Sequence, residues 1–399
     1  LFVPLKRRTG LGYLTLLLLG VVSGLVTAEV LLRLRYSAAN CIYQSDDVLL
    51  FKLVPGSHKI FSRAPGNGGD KIPIRINSQG FRGDELSASS GDARVVVYGD
   101  SLIEAEFSSL ENTFVQQLQL RLEQQRGTRV QVINAGVVGY GPDQVLLKME
   151  RELKMLHPDL TIVTLFTHND FGDLVRNRIF SLDEHGELLR NHYALNGLER
   201  WLLGHAAFPA GIYRLRVVQS LMRLAWIISE SGHPGSGDYV DQALRQSYDE
   251  YRTAGSEHTA VGLFRDHYDA DLAVAPDSAS ARYKLALMEG ILRQMRAVTA
   301  ARHVPLLLLI VPSPIDVCGS YDYAVDPKQY PLYRHSRLSD DVESIAERNG
   351  ITYLNLFRPF SDANADDLYF RFGDDHWNDA GQRVAAELVS TFIVARGLF

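Results

Sequence analysis

The chain reads as an α/β protein: a three-layer α/β/α sandwich around a five-stranded parallel sheet, with an N-terminal transmembrane helix and a helical insertion. Three observations predict this. Five short apolar runs, 94–98, 130–134, 160–166, 304–311 and 351–356, have the length and the β-branched and aliphatic content of strands. Stretches with helical spacing separate most of them. Three of the runs are nearly uninterrupted by polar residues, as strands covered on both faces must be.

In chain order, Lys6, Arg7 and Arg8 precede residues 11–32, whose only charge is Glu29. As a helix that run spans about 33 Å, enough to cross a hydrocarbon core. The cationic cluster before it favours a cytoplasmic N-terminus and an extracytoplasmic remainder, although Arg33 and Arg35 reduce the asymmetry. A cleaved signal peptide ending near Val26-Thr27-Ala28 is the alternative, but the apolar run continues past that point. Residues 46–85 form an extended lead-in. It holds a turn at Val54-Pro55-Gly56, a glycine-rich loop at Gly66-Asn67-Gly68-Gly69, a half-exposed strand in which Ile72, Ile74 and Ile76 alternate, and a turn at Asn77-Ser78-Gln79-Gly80.

From position 94 strand and helix alternate. Helices are predicted over 111–125, with Phe114, Leu118 and Leu122 on one face, and over 143–156, with Leu146, Met149, Leu153 and Leu156 aligned. Residues 171–278 lack strong β-runs and read as a mostly helical cap, interrupted near Gly232-His233-Pro234-Gly235. Helices then follow over 280–301, 338–348 and 379–394, the last with Asn378 as its N-cap. The sandwich is expected to be flavodoxin-like. The chain divides into a stub and anchor (1–36), the lead-in (37–92) and a catalytic-type domain (93–399) carrying the insertion.

Composition narrows the function classes. The 399 residues are 46% hydrophobic and 22% charged, and 47 acidic against 41 basic residues leave a net charge of −6. No basic block occurs beyond the N-terminus, so nucleic acid is not an expected partner. Cys41 and Cys318 have no Cys or His neighbour at metal-ligand spacing, so no zinc site is implied.

The chemistry is concentrated at strand ends. Ser101 directly follows the first strand in Gly99-Asp100-Ser101-Leu102, and Asp374-Asp375-His376-Trp377 lies near the far end of the chain. A serine hydroxyl needs a base to act as a nucleophile, and the base needs an orienting carboxylate, so this pairing points to a hydrolase or acyltransferase. Gly139 and Asn169 also fall just past strand ends, where parallel sheets bind ligands. Other readings weigh less. A lone Gly-Asp-Ser is often only a turn. Gly136, Gly139 and Gly141 are spaced Gly-x-x-Gly-x-Gly, which is not a dinucleotide loop. His168 reads as structural and Trp377 as packing.

Four segments taken in order, Gly99-Asp100-Ser101-Leu102, Asn134 to Gly139, Thr167-His168-Asn169-Asp170 and Asp374-Asp375-His376, resemble the blocks of the SGNH/GDSL hydrolase superfamily. The last block, followed by Trp377, is similar to a membrane-anchored bacterial branch ending in Asp-x-His-Trp. The resemblance implies Ser101 as nucleophile, His376 as base and Asp374 as acid, with Asp375 an open alternative. It implies an oxyanion hole from the Ser101 and Gly139 backbone and the Asn169 amide. Two departures stand out: Thr167 replaces the usual glycine of the third block, and Gly373 occupies the position where the commoner Asp-x-x-His spacing would put the acid. No metal or organic cofactor is implied. The expected substrate is an acyl ester, such as an acetylated glycan of the cell envelope. A lipase or thioesterase acting on longer chains, and an inactive glycan-binding module, are the competing expectations.

Overall fold

The computed structural model describes residues 10–35, 42–46, 48–87, 92–191, 217, 268–321, 324–371 and 374–399. Most of the expected insertion therefore lies outside the described residues, as does Cys41. Helix α1, Gly10–Arg35, contains the apolar stretch Gly12–Leu32, of mean hydropathy 2.2 and with none of it buried inside the protein. By length and composition it can cross a membrane or serve as a signal sequence.

Two antiparallel hairpins follow: β1 Tyr43–Asp46 with β2 Leu50–Leu53, and β3 His58–Ser62 with β4 Lys71–Arg75. The isoleucine alternation holds in β4, where Ile72 and Ile74 are buried between exposed neighbours. The lead-in is more integrated than its turn-rich sequence suggests. Leu49, Phe51, Leu53, Ile72, Ile74 and Phe81 belong to the same apolar cluster as one face of the main sheet.

The central sheet holds β5 Ala93–Tyr98, β6 Val130–Asn134, β7 Leu160–Phe166, β10 Leu306–Val311 and β11 Thr352–Asn355, in the order β11-β10-β7-β5-β6. Every adjacent pair is parallel. The order is that of a flavodoxin-like sheet, with the first strand in the interior. Strand residues divide by parity between two cores. Val96, Tyr98, Val163, Leu165, Leu308 and Ile310 face one side, while Val95, Val97, Ile162, Leu307, Leu309 and Val311 face the other. The first core is closed by α4 Pro142–Leu156, α5 Asp170–Asn177, α6 Ala270–Val274, α7 Ala279–Ala300 and α9 Arg337–Arg348. The second is closed by α3 Phe114–Arg126, α10 Phe357–Asp362 and α11 Asp379–Arg396. Each fully buried aliphatic side chain in these layers contributes about 1.5–3 kcal/mol, so the sheet is the rigid element on which the rest is mounted.

Local signals set the helix ends. Thr113 caps α3 by accepting from Gln116 N (3.3 Å), and Gly127 closes it with φ 66°. Asn378 caps α11 as expected, accepting from Ala380 N and Gly381 N (2.9 and 3.0 Å). The insertion was expected to be mostly helical, and its described part also holds strands that the sequence did not signal. After α5 comes a small hairpin, β8 Phe180–Leu182 with β9 Leu188–Arg190, turning at Gly186 with φ 76°. Such a three-residue strand is too short to leave an apolar run in sequence. Helix α2, Ser101–Glu104, and α8, Pro314–Val317, are single turns at the carboxyl ends of β5 and β10.

The turn after β6 packs against α2 without space to spare. A Cβ on Gly136 would stand 2.7 Å from the carbonyl carbon of Ile103, a backbone atom that cannot rotate away. Gly136→Ala should therefore destabilise the folded chain by about 2–3 kcal/mol, read as a lower denaturant midpoint at unchanged slope.

Candidate active site

The carboxyl ends of β5, β6 and β7 bring three of the predicted segments to one edge of the sheet. After β5, Asp100 caps α2 by accepting from Leu102 N (2.9 Å), and Ser101 opens the helix with 9% of its surface exposed. After β6, Asn134 Nδ2 donates to Ile103 O (2.6 Å) and Val137 N donates to Gly99 O (3.1 Å), so the second segment lies flat against the first. Gly139 has φ 77°, a left-handed conformation that favours glycine.

Asn169 precedes α5 and is 5% exposed. Its loop is clamped at several points. Phe166 N donates to Asp170 Oδ2 (2.6 Å), Thr167 N to Val311 O (2.9 Å) and Asp269 N to His168 O (2.7 Å). Asp269 Oδ2 accepts in turn from Phe171 N (3.0 Å), while its other oxygen meets the fully buried Lys284 ammonium (3.1 Å). Thr167 is fully buried and donates its hydroxyl to Val311 O (3.2 Å). The departure from glycine is thus absorbed by β10. Burial, together with the charge of nearby Asp100, pushes the Asp170 carboxyl well above the usual carboxylate range.

The fourth segment reaches this edge from the other core. Trp377 is fully buried against Phe114 and Phe360, which bears out its reading as a packing residue. Gln382 Nε2 donates to Leu102 O (3.3 Å), and Ser108 Oγ donates to Asp379 Oδ1 (2.7 Å). The His376 ring lies 4.4 Å from that of Phe107, in the loop after α2. His168 links the third and fourth segments: its Nδ1 is 3.0 Å from Ser313 Oγ and its Nε2 3.6 Å from Asp375 Oδ2.

His376 Nδ1 is 2.9 Å from Asp374 Oδ1 and equally 2.9 Å from Asp375 Oδ1. Asp374 Oδ1 also accepts from the His376 backbone N–H (3.1 Å), closing an Asx turn. Burial alone would lower the His376 pKa, but the Asp375 charge and the hydrogen bonds to both carboxylates raise it well above 6.5. Burial would likewise raise Asp375, yet the charge and hydrogen bond of His376, then the charge of His168, hold it well below the usual carboxylate range. Donor atoms of Asp374, Asp375 and His376 lie within 4.8 Å of one another, near enough to hold a cation. Both carboxylates are instead already engaged on the imidazole. Nε2 of His376 is buried and has no hydrogen-bond partner among the described residues, so a Ser101–His376 bond is not formed in this conformation.

Sequence reasoning missed several groups here. Glu104, fully buried at the end of α2, and Lys284, fully buried in α7, both place an ionisable group in the interior. Lys284 lies on the helix face of Ala281, Leu287, Met288 and Ile291, an interruption of an otherwise apolar stripe that was available as a signal. Phe107 and Asp269 left no such signal, since their roles depend on tertiary contacts.

Two carboxylates on one imidazole make a titration test. His376 should titrate above 6.5 by imidazole NMR, and Asp375→Asn should lower the midpoint toward 6.5. A midpoint unmoved by that substitution would contradict the electrostatic assignment.

Comparison with known proteins identifies a family. The GDSL-like Lipase/Acylhydrolase family matches residues 97–384. No curated protein matches the chain. Among solved structures it is similar to the lipase/acylhydrolase from Enterococcus faecalis, at 13% identity and TM-score 0.37, over 76% of this chain and 96% of that one. It is also similar to the acetyl xylan esterase AlAXEase (13%, 0.37, over 75% and 99%). A third similar structure is the psychrotrophic esterase EstA from Pseudoalteromonas sp. (12%, 0.34, over 77% and 98%). Because the family match takes in more than half of the sequence and all four of the predicted segments, the chain belongs to the GDSL-like lipase/acylhydrolase family.

Proposed function

We propose that the protein is a membrane-anchored, extracytoplasmic serine esterase or O-acyltransferase acting on short acyl esters, acetyl above all, of envelope or extracellular glycans. The observation that carries this reading is the state of His376. Its Nδ1 is held by carboxylates while its Nε2 is buried with no hydrogen-bond partner among the described residues, as a general base awaiting a hydroxyl requires. The glycan and the outward orientation rest on α1 as an uncleaved anchor, with no nucleic-acid partner and no cofactor in the scheme.

In this mechanism Ser101 Oγ attacks the ester carbonyl as His376 Nε2 takes its proton. The oxyanion is met by the Ser101 and Gly139 backbone N–H groups and by the Asn169 amide. Collapse breaks the bond to the alcohol, which leaves with the proton from His376, and the acyl group stays on Ser101. Water or an acceptor hydroxyl then attacks, losing its proton to His376; collapse breaks the Ser101 Oγ–acyl bond as His376 returns that proton to Oγ, and the acyl group departs as a free acid or a new ester. Asp374 is assigned as the orienting acid, and Asp375 is equidistant from the ring nitrogen. A non-catalytic glycan-binding role is the second reading, favoured by the unformed Ser101–His376 bond.

The test uses the full chain in detergent with p-nitrophenyl acetate, butyrate and octanoate. Ser101→Ala should cut turnover by roughly 10⁴-fold or more, and Asn169→Ala by about 10²–10³-fold. Rates should fall from acetate to octanoate; a rise would favour a lipase or thioesterase, and turnover indifferent to Ser101→Ala would favour the binding module. Since the base acts only when neutral and its pKa is raised, kcat/KM should fall on acidification with a midpoint above 6.5.

A further inference from the structure

The hairpin β1–β2 follows the apolar helix and belongs to the extended lead-in of the sequence reading. Its contacts are of another kind. Tyr43 OH donates to Glu104 Oε1 (2.8 Å), and the other oxygen, Glu104 Oε2, accepts from Val138 N (2.7 Å). One carboxylate thus joins the membrane-proximal strand, the last residue of the helix that Ser101 opens, and the residue before Gly139. It is fully buried, so each of its oxygens meets a donor where no water would replace one.

Independent contacts repeat the connection. Tyr140 OH donates to Phe51 O (2.5 Å), and Gln144 Nε2 donates to Leu49 O (2.7 Å). The Phe51 and Tyr140 rings meet edge to face at 5.2 Å. A Cβ placed on Gly139 would find Phe51 Cζ, at 3.7 Å, as its nearest neighbour. The outer side of the 138–141 turn is therefore built by residues 43–53, which lie entirely outside the family match. Arg82 Nη1 donates to the Glu104 carbonyl, and Lys59 of β3 pairs with Glu106, so the rest of the lead-in braces the end of α2.

We infer that the membrane-proximal hairpin is a structural wall of the acyl site, with Tyr43 and Glu104 as positioning residues that hold the Val138 and Gly139 backbone beside Ser101. The catalytic part of this inference rests on Gly139 N–H serving as an oxyanion donor. Chain length adds a consequence: Arg35 and Tyr43 are separated by at most about 28 Å of extended backbone, so the anchor holds the site near its own end of the helix.

The experiment compares full-length wild type, Tyr43→Phe and Glu104→Gln in detergent by hydrogen–deuterium exchange over residues 135–141 and by p-nitrophenyl acetate kinetics. Tyr43→Phe keeps the ring and Glu104→Gln keeps the shape, and thermal midpoints report that both fold. Exchange in the turn should accelerate by about 10-fold or more in Glu104→Gln and by less in Tyr43→Phe. In both, kcat should fall about 5–50-fold with KM within twofold, as expected for displaced transition-state donors. Unchanged exchange, or faster exchange with unchanged kcat in an active enzyme, overturns the inference. If the wild-type chain has no Ser101-dependent turnover, the esterase reading fails separately, and the exchange result alone decides the wall.

Discussion

The carboxyl edge of the sheet depends on the close approach of two backbone turns, 99–104 after β5 and 134–139 after β6. Gly136 fits against the Ile103 and Glu104 backbone only because it has no Cβ, and a Cβ on Gly99 would overlap Thr164 Oγ1 of β7. Asn134, Val137 and Val138 then donate across the contact to Ile103 O, Gly99 O and the Glu104 carboxylate. The relative position of Ser101 and Gly139 is fixed by this backbone contact, which is less adaptable than any side-chain arrangement. The sheet supplies the rigidity and the hairpins supply the outer wall.

Electrostatics at the edge follow from burial of acids. Asp100, Asp170, Asp269, Asp375 and Glu104 gather near the strand ends, with His376, His168 and Lys284 as opposing cations or potential cations. Asp375 is drawn low by the imidazoles, whereas Asp170 is driven high by burial and by Asp100. The two carboxyls are shifted in opposite directions, one by imidazole partners and the other by burial and a like charge. Asp374 contributes differently, fixing the His376 backbone through its Asx turn as well as meeting the ring.

Much of this was legible in sequence because the governing signals are local. The five strands announced themselves by short apolar runs, and Asn378 announced α11 by its capping chemistry. Ser101, Gly139 and Asn169 could be placed at the edge because each follows a strand directly. Hairpin β8–β9 escaped because three-residue strands carry no periodicity. The role of the lead-in escaped for a different reason. Tyr43 and Glu104 are 61 positions apart, and nothing in either neighbourhood signals the other. The choice between Asp374 and Asp375 was equally beyond sequence, since both sit at 2.9 Å from the same nitrogen.

The most direct measurement of the central claim, that Ser101 is a nucleophile served by His376, is intact-mass and peptide analysis of the full chain after treatment with a fluorophosphonate. The account predicts a single adduct on Ser101, absent in Ser101→Ala and formed far more slowly in His376→Gln. A folded wild-type chain that takes up no label, or takes it up elsewhere, would contradict it.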